Sequence, residues 1–126
     1  MRTLLIHADT FEYEAKEPAI KNPEEIADTE RRDAMKEVLV AFCTVEKEDE
    51  KNPILIAERA TDAIAEVADW VKAKNIMVYP YAHLSSSLAD RDTAIPVLKS
   101  VQQALLKKGY NARRGPFGWY KSFDLH

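Results

Sequence analysis

Glu37-Val38-Leu39-Val40-Ala41-Phe42-Cys43-Thr44-Val45 is the stretch on which the fold turns. Its apolar residues run almost without a break and Val38, Val40 and Val45 are β-branched, so it reads as a strand buried on both faces. Such a strand belongs in the middle of a sheet, and its flanks must supply neighbours and cover. Upstream, Arg2 to Ala8 reads as a second buried strand. Phe11 to Lys16 then alternates apolar Phe11, Tyr13 and Ala15 with charged Glu12, Glu14 and Lys16, and Asp9-Thr10 is expected to form a hairpin between these two segments. Glu17 to Arg32, with Pro18, Pro23 and many charges but no sustained apolar period, reads as a long surface connection.

Downstream, Asn52-Pro53 offers a capping side chain and a first-turn proline. Ile56, Ala60, Ala63, Ile64, Val67 and Val71 follow with helical spacing, opposite Glu58, Arg59, Asp62, Glu66 and Asp69. Ile76 to Tyr79 is a short buried strand stopped by Pro80. A second helix is expected from about Asp92 or Thr93. It carries Pro96 in a first turn that tolerates it, presents Ile95, Leu98, Val101 and Leu105 as a stripe, and ends at Gly109. Tyr110 to Arg113 and Trp119 to Leu125 are the last strands, on either side of Gly115-Pro116-Phe117-Gly118. This order predicts an α/β fold in which helices pack against a mixed β-sheet, without the regular alternation of a doubly wound fold.

At 126 residues the chain fits a single domain, residues 1–126. Eighteen basic against 21 acidic residues give a formal net charge of -3, so there is no overall attraction to nucleic acid and any RNA contact must be local. The one basic cluster is Lys107, Lys108, Arg113, Arg114 and Lys121; it is either a local contact surface or a solvated face with lysines at a helix C-terminus. No run approaches the roughly 20 apolar residues of a membrane span, and the start of the chain does not read as a signal peptide. A single cysteine, Cys43, lies inside the apolar run, which fits a buried inert thiol and a reducing, cytoplasmic setting.

Two segments carry the candidate chemistry: Tyr79-Pro80-Tyr81-Ala82-His83-Leu84-Ser85-Ser86 and Gly115-Pro116-Phe117-Gly118-Trp119-Tyr120-Lys121. Each joins a strand end to a proline, aromatic surface and one titratable side chain, as small-ligand pockets commonly do. His83 can act as acid, base or hydrogen-bond anchor, or be a packed or capping residue. A helix starting near Leu84 would aim free N–H groups at the end of the preceding strand. Ser85, Ser86 and Ser87 lack a nucleophile elbow and read as cap and turn residues. Lys121 shares a strand face with Trp119, Phe123 and Leu125, which makes it either a site cation or a lysine whose stem lies on apolar surface. His7 and Asp9 share a face, but His83 and His126 show no ligand spacing towards them, so neither a metal nor any other cofactor is expected.

Met1-Arg2-Thr3-Leu4-Leu5-Ile6-His7-Ala8-Asp9, the Val38 to Phe42 run with Val45-Glu46-Lys47, and the two segments above resemble, in order and spacing, the N-terminal editing domain of archaeal threonyl-tRNA synthetase. The resemblance implies a D-aminoacyl-tRNA deacylase-like fold, a homodimer, and hydrolysis of serine mischarged on tRNA(Thr). It places substrate binding on Val45, Pro80, Ala82, His83, Phe117, Tyr120 and Lys121, with His83 and Lys121 as catalytic-site residues that sense serine and order water. The terminal ribose 2′-hydroxyl would assist that water. A second site of this kind has a physical reason: one methylene gives only about 1–3 kcal/mol of discrimination between serine and threonine. The family domain runs past the equivalent of His126 with a short tail that carries an acidic pocket residue. That tail and the synthetase catalytic and anticodon-binding domains are expected outside this chain, in cis or in trans. D-aminoacyl-tRNA deacylation and non-catalytic binding of an aminoacyl-adenosine or tRNA are the alternative functions.

Overall fold

The computed structural model describes residues 1–126. It contains five strands, β1 (Arg2–Pro18), β2 (Arg32–Thr44), β3 (Asn75–Pro80), β4 (Asn111–Arg114) and β5 (Trp119–Leu125), and two helices, α1 (Pro53–Val71) and α2 (Arg91–Lys107). They form one mixed sheet in the order β4-β3-β2-β1-β5. β2, β3 and β4 are parallel, joined through α1 and α2, whereas β1 runs antiparallel to both β2 and β5. The apolar run of β2 is therefore the middle strand, as its sequence predicts, and the fold is α/β with helices packed on a mixed sheet.

Both helices cover the same face. Leu39, Ala41 and Cys43 of β2 and Ile76 and Val78 of β3 join Ile64 and Ala68 of α1 and Leu98, Val101 and Leu105 of α2 in one core. Burying each of the larger side chains contributes about 1.5–3 kcal/mol. The Asn52 side chain accepts from Leu55 N and caps α1, and Asp90 accepts from Thr93 N and caps α2. Along α1 the predicted stripe shifts slightly: Ala63 faces solvent, while Thr61 is buried with its hydroxyl donating to Ala57 O.

The expected hairpin at Asp9-Thr10 does not exist. β1 is one 17-residue strand, and its pairing with β2 keeps a single register from Arg2↔Thr44 to Glu14↔Arg32. The alternation does break there. Ala8 and Phe11 are buried in the same cluster although three residues apart, and so are their partners Val38 and Met35. Glu37, between those partners, takes a left-handed backbone with φ of 44°. Both strands thus change phase together, which a sequence pattern alone reads as a turn. Beyond the phase change the β1–β2 ribbon curls over the face away from the helices. Phe11 and Tyr13 there meet Tyr79 of β3, with ring centroids 5.1 Å and 5.6 Å apart.

Candidate functional site

Open α/β sheets form their ligand crevices beyond the carboxyl ends of parallel strands. Here a cavity of about 210 Å³ lies beyond the ends of β2 and β3. Its floor is Cys43, Thr44 and Val45 from β2 and Pro80, Tyr81 and Ala82 from β3; Leu88, Ala89 and Arg91 form one side, and Phe117, Gly118, Trp119 and Lys121 the other, with Ala19 and Ile20 at the edge.

Local bonding holds these walls. The buried Thr44 hydroxyl donates to Tyr81 O and ties the two strand ends together. Tyr81 N donates to Cys43 O at 2.9 Å and Ala89 N to Val45 O at 3.0 Å, which draws the segment before α2 onto β2. Ser85 donates to Glu46 at 2.8 Å and accepts from Ser87 N at 3.1 Å, so the serines are turn residues, as expected. The Met1 ammonium, partly buried, pairs with Asp49 at 2.6 Å and Glu46 at 3.4 Å and braces the turn after β2.

Lys121 is the principal cation of the cavity. Its Nζ donates to Pro116 O at 2.9 Å and Trp119 O at 3.3 Å, and lies 5.1 Å from the centroid of the Tyr79 ring. Burial lowers its pKa to about 8, only partly opposed by the negative charge of Glu24. Cys43 at the floor is chemically quiet: burial pushes its thiol up to about 12, and its sulfur donates to Ala41 O. No His, Asp or Glu lines the cavity.

The tertiary structure thus brings together Val45, Pro80, Ala82, Phe117 and Lys121. It leaves two predicted residues outside. His83 is exposed on a single 3-10 turn, Ala82–Leu84, edge-on to Tyr81 with ring centroids 5.0 Å apart. Tyr120 points to the opposite face of β5 and is 58% exposed. No helix starts near Leu84: α2 begins only at Arg91, and the Asp90 carboxylate already occupies one of its first-turn N–H groups. The basic cluster is also dispersed: Arg114 is paired with Glu24, Arg113 with Asp33 and Lys108 with Asp62, Lys121 is turned inward, and only Lys107 stays exposed without an acidic partner.

Reading the sequence missed Cys43, although period-two alternation puts it on the face of Val45. It also missed Ala19, Ile20 and Arg91, for which no local signal exists. Glu24 is the larger omission. It lies in the segment read as a surface connection, yet it binds Arg114, Phe117 and Trp119.

The fold and cavity define an α/β domain with a small, mostly apolar pocket at the carboxyl ends of its parallel strands. The family model for the archaea-specific editing domain of threonyl-tRNA synthetase matches residues 1–126. The chain belongs to that family. It is 54% identical over 125 residues to the threonine--tRNA ligase of Pyrococcus furiosus and 50% identical over 125 residues to that of Thermococcus onnurineus. To the threonine--tRNA ligase of Methanosphaera stadtmanae it is 49% identical, again over 125 residues. In each case 99% of this chain is covered but only 20% of the relative, so the chain spans about one fifth of the length of these proteins. Neither helix is long and apolar enough to cross a membrane.

Proposed function

We propose that this domain hydrolyses the ester of serine mischarged on tRNA(Thr), with the aminoacyl end bound in the cavity between Val45, Pro80, Ala82, Phe117 and Lys121. The observation that carries the reading is the make-up of that cavity: apolar walls, a single buried lysine ammonium, and no carboxylate, imidazole or active nucleophile. At about 210 Å³ it is smaller than the ~300–1,000 Å³ of drug-sized ligand pockets. That space suits an aminoacyl group and the edge of a ribose, with the adenine at the mouth. His83, exposed beside Tyr81, is then available to meet the terminal adenosine at the rim, and Tyr120 lies outside the cavity.

In this reading the protein positions and the RNA activates. Lys121 and backbone groups of the strand ends fix the ester, and the ribose 2′-hydroxyl orients a water molecule. The water attacks the ester carbonyl, the bond to the ribose 3′-oxygen breaks, and free serine and tRNA leave. Discrimination lies in the apolar walls, which must exclude one methyl group.

Hydrolysis of seryl-tRNA(Thr), threonyl-tRNA(Thr) and a D-aminoacyl-tRNA, measured side by side, tests the proposal. Preferential release of L-serine is expected. Preference for the D-aminoacyl ester would assign the deacylase alternative. Binding of a non-hydrolysable seryl-adenosine analogue, together with no hydrolysis of any of the three esters, would assign the binding module, which the absence of a carboxylate or imidazole in the cavity also favours.

A further inference from the structure

The turn that walls the pocket is held from outside by a residue that never reaches it. Glu24 belongs to the segment between β1 and β2. Its carboxylate takes both ends of the Arg114 guanidinium, at 2.7 Å and 2.6 Å, and accepts from Phe117 N at 3.0 Å. Its backbone is engaged as well: Glu24 N donates to Phe117 O at 2.9 Å, and the Trp119 indole donates to Glu24 O at 2.8 Å. Arg114, the last residue of β4, is fixed to the sheet, since β4 pairs with β3 at Val78 and Gly115 N donates to Val78 O. Glu24 and Arg114 are only 15% and 12% exposed, so the pair is bidentate and largely withdrawn from water.

We propose that Glu24 is the positioning residue of this pocket: it fixes the Pro116–Trp119 turn against β4, and through the carbonyls of Pro116 and Trp119 it sets the place of the Lys121 ammonium. The proposal rests on the function inferred above for the cavity. A bidentate carboxylate that also accepts from Phe117 N determines where the phenyl ring stands. The turn cannot shift without moving both acceptors of Lys121. Burial pushes the Glu24 carboxyl up, but the Arg114 and Phe117 hydrogen bonds outweigh it and hold it below the usual carboxylate range, so it stays charged at neutral pH.

The test compares Glu24→Gln, Arg114→Lys and Asn52→Ala, the last being a helix-cap change outside the cavity that lowers stability by another route. Steady-state and single-turnover hydrolysis of seryl-tRNA(Thr) are measured with thermal melting, and the Lys121 side chain is titrated by carbon NMR. Glu24→Gln should raise KM at least tenfold while changing the single-turnover rate less than threefold. Arg114→Lys, which keeps the charge but loses the fork, should fall between it and the wild type. Asn52→Ala should leave KM unchanged. The Lys121 midpoint should move downward in Glu24→Gln, because a neighbouring negative charge is removed. An unchanged KM in Glu24→Gln, or a KM rise in Asn52→Ala matching it at equal loss of stability, would overturn the proposal. If the wild-type domain hydrolyses no seryl-tRNA, the proposed function fails. The Lys121 midpoint in Arg114→Lys, which keeps both charges and needs no activity, then decides: a shift from the wild type supports positioning through the turn, and an unchanged midpoint overturns it.

Discussion

The Lys121 ammonium lies 5.1 Å from the centroid of the Tyr79 ring, although their strands, β5 and β3, are separated in the sheet by β2 and β1. Only a strongly curled sheet brings them together. The curl places a cation from the edge strand over an aromatic ring that is itself 1% exposed, beside the carboxyl ends of the parallel strands. Cation–π attraction and two carbonyl acceptors recover part of the lost hydration. They do not recover all of it, and the ammonium titrates at about 8.

That titration gives a stability prediction with a definite sign. Lys121 releases its proton at about 8 when folded and at 10.5 in its unperturbed state, so between these values the unfolded chain holds more protons and folding gains as pH rises. The penalty for burying the ammonium is fully present below pH 8 and is lifted by about pH 10.5. The gain is at most about 3 kcal/mol. From pH 7 to 10 the melting temperature of the wild type should rise relative to that of Lys121→Met. Parallel curves would contradict the burial of a charged Lys121.

The same residue gives a prediction for activity. If the ammonium binds the aminoacyl end, KM for seryl-tRNA(Thr) should rise above pH 8 with little change below it. Lys121→Met should raise KM at every pH while altering stability at pH 7 by no more than about 1 kcal/mol, because deleting a buried charge offsets the bonds lost with it. Equal loss of binding and stability would mean that the side chain only fills space.

Gly118 and Gly109 both have positive φ, 84° and 100°, but differ in surroundings. A Cβ on Gly118 would meet Ile20 Cδ1 at 2.8 Å and Pro23 Cα at 3.0 Å, whereas one on Gly109 meets nothing within 4 Å. Gly109→Ala should cost about 1–2 kcal/mol, the conformational penalty alone. Gly118→Ala should cost about 2–3 kcal/mol and also impair hydrolysis, since the turn must move away from the 19–23 segment. Denaturant titration with activity assays compares the two.

Asp49 is 4% exposed and joins the Met1 ammonium to Glu46 N, which it accepts at 2.8 Å. Asp49→Ala leaves a partly buried ammonium with only Glu46 beside it and the Glu46 N–H unpaired. A loss of about 2–4 kcal/mol is expected from equilibrium unfolding. Asn52→Ala, which removes only the α1 cap, should cost about 1 kcal/mol.

Much of the architecture was legible because local chemistry dictates it. The apolar run of β2 can only be a central strand, and Asn52-Pro53 starts α1 by satisfying N–H groups that nothing else would satisfy; the cap of α2 falls on Asp90, earlier than the expected Asp92 or Thr93, which leaves Pro96 inside the helix and not in its first turn. Pro80 and Gly109 end elements for equally local reasons. The same locality explains the failure at Asp9-Thr10. A break in alternation marks a turn in an isolated strand, but here β2 changes phase opposite it at Glu37, and pairing continues.

Local patterns along the chain specify the elements, the α/β class and Lys121 as a candidate, because strand ends and proline-bounded turns are written in nearest neighbours; Val45, Pro80, Ala82 and Phe117 are named only through the family resemblance. Tertiary packing settles that His83 and Tyr120 stand outside the cavity, that three of the five basic residues take acidic partners, and that Glu24 binds Arg114 across 90 positions of chain. Pairing at that separation depends on how the sheet curls and where the segment before β2 comes to rest. Neither is encoded in any short window of residues.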